Sequence, residues 1–161
     1  MLADDPGASI AAIAAEAGVD RRTVYRRFAS REELLTAVYE ARYEAVERVV
    51  EESRLREAPV AVALHRYVEG IVGVNRKWPV DITRVRGDEA IRERRDALIR
   101  EVDVFLERAR DEGLLRADIP VAWSGSLLPQ LVQLASQQSR LTPAQAADMV
   151  VDTFLRGLGA Q

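Results

Sequence analysis

Ser9-Ile10-Ala11-Ala12-Ile13-Ala14-Ala15-Glu16-Ala17-Gly18-Val19-Asp20-Arg21-Arg22-Thr23-Val24-Tyr25-Arg26-Arg27-Phe28 stands near the start of a 161-residue chain. Ser9 can cap a helix from Ile10 to Ala17, because its hydroxyl accepts a bond from a free N–H of the first turn. Gly18 follows where the left-handed residue that closes a helix belongs. Asp20 can cap a second helix, from Arg21 to about Phe28. Two short helices around a glycine turn have the helix-turn-helix form, whose second helix enters the DNA major groove. The alanines at 11, 12, 14 and 15 allow close approach, and Ile10, Ile13, Val19, Val24 and Phe28 can form the apolar seam beneath. Arg21, Arg22, Tyr25 and Arg26 share the side that Val24 and Phe28 leave free, a basic and aromatic face suited to phosphates and base edges. From the residues alone, a helical hairpin with a solvated arginine face stays open beside the DNA-binding reading.

Outward from this stretch the chain reads as helix throughout, with no sustained period-two alternation. Ser30-Arg31-Glu32-Glu33 is a capping box. It opens a long helix, expected to reach about Glu57, with Leu34, Leu35, Val38, Ala41, Ala45, Val46, Val49 and Val50 as its apolar stripe. Further helices are expected from Pro59 to before Trp78-Pro79, from Val80 to Arg86, from Asp88 to Gly113, and from Val121 to about Arg140. The last helix starts at Thr142-Pro143-Ala144-Gln145, a capping box with proline at the first helical position. The fold class is therefore all-α: an N-terminal helix-turn-helix head over residues 1–36 on a C-terminal helical body over residues 37–161.

Apolar residues make up 48% of the chain and charged residues 30%, the make-up of a globular protein with a real core. No apolar run is long enough to span a bilayer, so no membrane partner is expected. Met1-Leu2-Ala3-Asp4-Asp5-Pro6 lacks the regions of a signal peptide, and a cytoplasmic location is the default expectation. Net charge is −3, yet residues 20–31 hold five arginines against one acid, a local balance of +4 that leaves −7 for the rest. A basic patch on an acidic body can bind phosphates locally while the remainder resists non-specific adhesion. There is one histidine and no cysteine, no phosphate-binding glycine loop and no H-E-x-x-H pattern. An enzyme is not expected, nor a cofactor or a metal.

Ile13-Ala14-Ala15-Glu16-Ala17-Gly18-Val19, with Thr23-Val24-Tyr25-Arg26-Arg27-Phe28-Ala29-Ser30-Arg31-Glu32-Glu33-Leu34-Leu35, resembles the DNA-binding signature of the tetracycline-repressor (TetR) family. That signature has an IA-x-x-AGV turn, a T-hydrophobic-Y-x-x-F recognition helix and an [S/N]-[K/R]-x-x-L opening of the next helix. Gly113-x-Leu115-Arg116-x-Asp118-Ile119-Pro120 and Phe154-Leu155-x-Gly157-Leu158 are similar to weaker features of the family's effector-binding half. The resemblance implies a ligand-responsive regulator, in the main a repressor, that binds palindromic operator DNA as a homodimer and is released by a small molecule. It implies phosphate contacts from Thr23, Tyr25 and Arg31. Arg21, Arg22 and Arg26 fall where base-reading side chains sit, and a bidentate arginine most often selects guanine. Arg27 either meets a phosphate or stays solvated. One departure stands out: the family's full first helix is represented only by the turn Leu2 to Gly7. The expectation is a start upstream of Met1; the alternative is a helical small-molecule-binding dimer that has lost DNA binding.

The resemblance also implies an effector cavity between body helices. Tyr67, Ile71, Val74, Trp78, Ile82, Leu98, Val102, Phe105, Trp123 and Leu127 are the candidates to line it, though ordinary core is an equally plain reading of each. The occupant expected is a small apolar or aromatic effector, with His65, Asn75 and Ser126 available as polar anchors. Pro129 inside the penultimate helix predicts a kink. The last two helices carry apolar residues on more than one face, which points to burial on more than one face. Leu128, Leu131, Ala135, Val150, Phe154 and Leu158 are the expected contacts of a four-helix dimer interface, with Leu127 and Leu134 facing inward.

Overall fold

The computed structural model describes residues 9–79 and 89–158. Among them every regular element is a helix: α1 (Ile10–Glu16), α2 (Arg21–Arg27), α3 (Arg31–Ser53), α4 (Val60–Lys77), α5 (Glu89–Asp111), α6 (Val121–Ser136) and α7 (Pro143–Leu158). The helix expected over 80–86 lies outside the described residues, as does Ile82.

Local chemistry accounts for most boundaries. Ser9 Oγ accepts from Ala12 N (3.2 Å), Asp20 Oδ1 from Arg22 N (2.8 Å) and Ser30 Oγ from Glu33 N (3.1 Å). Glu33 reaches back to the Ala29 N–H at 2.6 Å. Thr142 and Gln145 close a reciprocal box, each side chain accepting the other's backbone N–H at 3.2 and 2.9 Å. Two helices end sooner than expected. The α3 helix stops at Ser53 because Arg54 turns left-handed (φ 52°), which drops Leu55 into the core. Arg108 of α5 holds that turn by donating to the Leu55 and Ala58 carbonyls at 2.7 and 2.8 Å. The α6 helix stops at Ser136, where the Arg76 guanidinium of α4 collects the carbonyls of Ala135, Ser136, Gln138 and Leu141. A cation at a helix C-terminus satisfies carbonyls that the helix itself leaves open. The helix runs through Pro129 without interruption.

The body is organised around α4, which packs against α3, α5, α6 and α7. Val60, Leu64, Val68 and Val72 recur every fourth residue and are buried, as a core-facing helix requires. Gly70 lets α3 come close, because a Cβ there would sit 2.5 Å from a Val49 methyl. Phe105, Leu106 and Ala109 of α5 complete the core with Leu128, Val132 and Ala135 of α6, and with Ala146, Ala147, Val150, Phe154 and Leu158 of α7.

This corrects the expected dimer contacts. Leu128 (1% exposed), Ala135, Val150, Phe154 (1%) and Leu158 fill the protomer's own core, and Leu131 is half-buried against it. A side chain already out of water can bury nothing more against a partner. Leu134, expected inward, is 58% exposed. Periodicity shows that a helix has two apolar faces; which one meets α4 depends on how the bundle closes.

Candidate nucleic-acid interface

Ile10 and Ala14 of α1 are buried, as is Leu34 in the first turn of α3, while Val24 and Phe28 are half-buried. Gly18 adopts φ +65°, letting the Gly18 and Val19 N–H groups bond back to the Ala15 and Ala14 carbonyls. That conformation strains any residue with a Cβ. Val19 itself is 42% exposed, so it is not part of the seam expected of it.

Val24 and Phe28 turn inward, so the rest of α2 turns out. Arg21, Arg22, Thr23, Tyr25, Arg26 and Arg27 are all exposed. The Arg21 guanidinium lies over the Tyr25 ring, 5.1 Å from its centroid, a cation–π contact that leaves the N–H edges free to donate. Thr23, Arg26, Arg27, Phe28 and Glu33 line an open depression beside this face. Arg31 is half-buried in the first turn of α3 and engaged by its surroundings. The structure thus brings the α2 residues onto one surface, with Arg31 at its edge.

Charge separates this surface from the body. Arg56, Arg94, Arg108, Arg116 and Arg156 each pair with an acid: Glu101, Glu47, Glu112, Asp118 and Asp152, at 2.6–2.7 Å. The Arg94 fork on Glu47 and the Arg56 fork on Glu101 hold both carboxyls below their ordinary value. Arg21, Arg22, Arg26 and Arg27 make no ion pair among the described residues. Five donors per guanidinium and no carboxylate to take them is the arrangement that suits an external polyanion.

Residues 6–38 match the tetR family of bacterial regulatory proteins. Over these residues the chain is similar to the TetR family. It is also 39% identical over 69 residues to the HTH-type transcriptional repressor LfrR of Mycolicibacterium smegmatis, a match spanning 43% of this chain and only 36% of that repressor. Solved TetR-type structures share the fold. The ketosteroid transcriptional regulator KstR2 of Mycobacterium tuberculosis superposes with a TM-score of 0.83 at 16% identity, over 100% of this chain and 90% of that one. LfrR from Mycobacterium smegmatis in complex with proflavine gives 0.74 at 24% identity, over 99% and 90%. The regulator PfmR from Thermus thermophilus gives 0.71 at 18% identity, over 94% and 89%. The matched residues contain α1, α2 and the start of α3, the whole basic surface included.

The residues expected around an effector are scattered. Tyr67, Ile71, Val102 and Leu127 are half-buried against the core, and burial raises the Tyr67 phenol to about 12. Trp78 is half-buried with its indole N–H buried and unpartnered. Phe105 and Val74 are buried, Phe105 as core filling. Trp123 is 61% exposed. His65 is no interior anchor: it meets Asp148 at 2.9 Å on the α4–α7 surface, with Glu69 at 3.9 Å. Ser126 is exposed and bonded to the Ala122 carbonyl. Asn75 does face inward, between Arg42 of α3 and Ser136 of α6. Arg42 was missed from the sequence. The signal was there: it stands in the register of Val38, Val46 and Val49, an arginine on an apolar stripe.

Proposed function

We propose that the protein is a ligand-responsive transcriptional repressor that binds palindromic operator DNA as a homodimer and is released by a small apolar or aromatic effector. The observation that carries this is the face of α2, where Arg21, Arg22, Arg26 and Arg27 stand exposed on one seven-residue helix with no acid paired to them among the described residues. In this reading Arg21, Arg22 and Arg26 read base edges, and Thr23, Tyr25 and Arg31 fix the register through phosphates. The LfrR repressor, similar in sequence over 69 residues, supports repression; its structure with proflavine supports an aromatic occupant. The dimer forms through the outward faces of α6 and α7. Trp123, Leu127 and Leu134 fall on one side of α6, since eleven residues make just over three whole turns, and Met149 of α7 is 57% exposed. Release requires the effector to favour the conformation that does not bind DNA, because equal affinity for both would shift nothing.

The experiment is selection of operators from a random duplex library by the purified chain, followed by titration of the winning site. The account expects a two-fold symmetric sequence and a dimer bound to it. Recovery of no common sequence would refute it.

A further inference from the structure

Arg42 is 8% exposed, inside the seam where α3, α4 and α6 meet. Its Nη2 donates to Asn75 Oδ1 at 2.8 Å. Asn75 Nδ2 passes a bond on to Ser136 Oγ at 3.1 Å, and that hydroxyl donates to the Val132 carbonyl at 2.7 Å. The series ends there without an anion. Among the described residues no Asp or Glu pairs with Arg42, and its Nε has no partner. Burial pulls its basicity down, opposed by the phenols of Tyr43 and Tyr39 rather than by any carboxylate. Nearby Arg94, also close to the Tyr43 ring, is by contrast forked onto Glu47. A second buried donor, the Trp78 indole N–H, lies one turn beyond Asn75 and is likewise unpartnered. Burying an unpaired cation costs far more than leaving it in water. Such a group persists where something accepts from it.

We propose that Arg42 and Trp78 anchor the carboxylate of the effector, whose apolar or aromatic body lies along Ile71 and Tyr67. These two residues precede Asn75 at four-residue intervals, so all three share one side of α4. The proposal rests on the ligand-responsive reading and narrows it: the occupant is an organic acid, and a cation is repelled. Arg42 and Arg31 are on the same uninterrupted helix, roughly 17 Å apart at 1.5 Å per residue. An anion drawn between α3 and α4 therefore acts on the helix that carries the head.

The test uses the full chain without DNA, by calorimetry and thermal melting. The probes are 4-phenylbutyrate, its uncharged amide, acetate, inorganic phosphate and the cation proflavine. Expected is a thermal shift from 4-phenylbutyrate at a concentration at least tenfold below that needed for the amide or the small anions. Arg42→Met should erase that difference. Amide or proflavine binding as tightly as the acid, or no shift from any carboxylate, would overturn the proposal. Operator binding is read separately. A chain that binds the carboxylate but no duplex refutes the repressor reading and leaves the anion site standing.

Discussion

Arg21 and Arg31 carry the same charge in different settings, one on the free face of α2, the other half-buried in the first turn of α3. Their losses should therefore differ in kind. Arg21→Ala, or Arg22→Ala, should weaken the preferred operator by about 1–3 kcal/mol and random DNA hardly at all, since a base contact carries the sequence information. Arg31→Ala should weaken every duplex alike and lower the salt slope by about 1, the mark of a phosphate contact. Fluorescence anisotropy at graded salt on both kinds of DNA separates the two. The head was legible at this scale because each cap, the Gly18 turn and the α2 arginines act over a few residues. Arg42 could be seen as an arginine on the apolar stripe of α3, but its partner could not, because Asn75 lies thirty-three positions away in the chain.

Two predictions belong to the packing of helices. At Gly70 a methyl would meet Val49 at 2.5 Å, and that neighbour is branched next to the backbone and stiff. Gly70→Ala should cost on the order of 1–3 kcal/mol of stability through overpacking, and Val49→Ala in the same chain should recover part of the loss. The second concerns the Arg94 fork on Glu47 between α5 and α3, which lowers the carboxyl pKa. A depressed folded pKa contributes stability that is complete above the carboxyl's unfolded pKa and disappears as pH falls through the lower folded one. Both side chains are about a third exposed or more, so the contribution is modest, within about 1 kcal/mol. Melting curves should show Arg94→Met less stable than the parent at neutral pH, the gap closing in acid. Among the described residues, helix existence and order could be read from periodicity and caps. The early ends of α3 and α6 could not, because Arg108 and Arg76 impose them from other helices.

At the scale of the whole molecule, Leu128 and Phe154, expected at the dimer face, lie in the protomer's core, and the proposed interface moves to the outward faces of the same two helices. Leu134→Asp places a charge on an exposed face of α6, so sedimentation should show monomers whose melting point is little changed beyond the loss of association. Phe154→Asp buries an unpaired charge in the protomer's core and should unfold the chain. Monomers from Phe154→Asp with native stability, or a Leu134→Asp chain still dimeric, would place the interface elsewhere. Two heads joined this way must reach successive major grooves, with half-site centres about 34–36 Å apart or slightly more. The most direct test of the account is equilibrium binding of the full chain to its selected palindrome and to a scrambled duplex of the same length and composition. Moderate salt is needed, because unspecific attraction is weak there. The account predicts binding of one dimer to the palindrome at least a thousandfold tighter than to the scramble, in the usual range for specific regulators. Equal affinity for the two duplexes would contradict it.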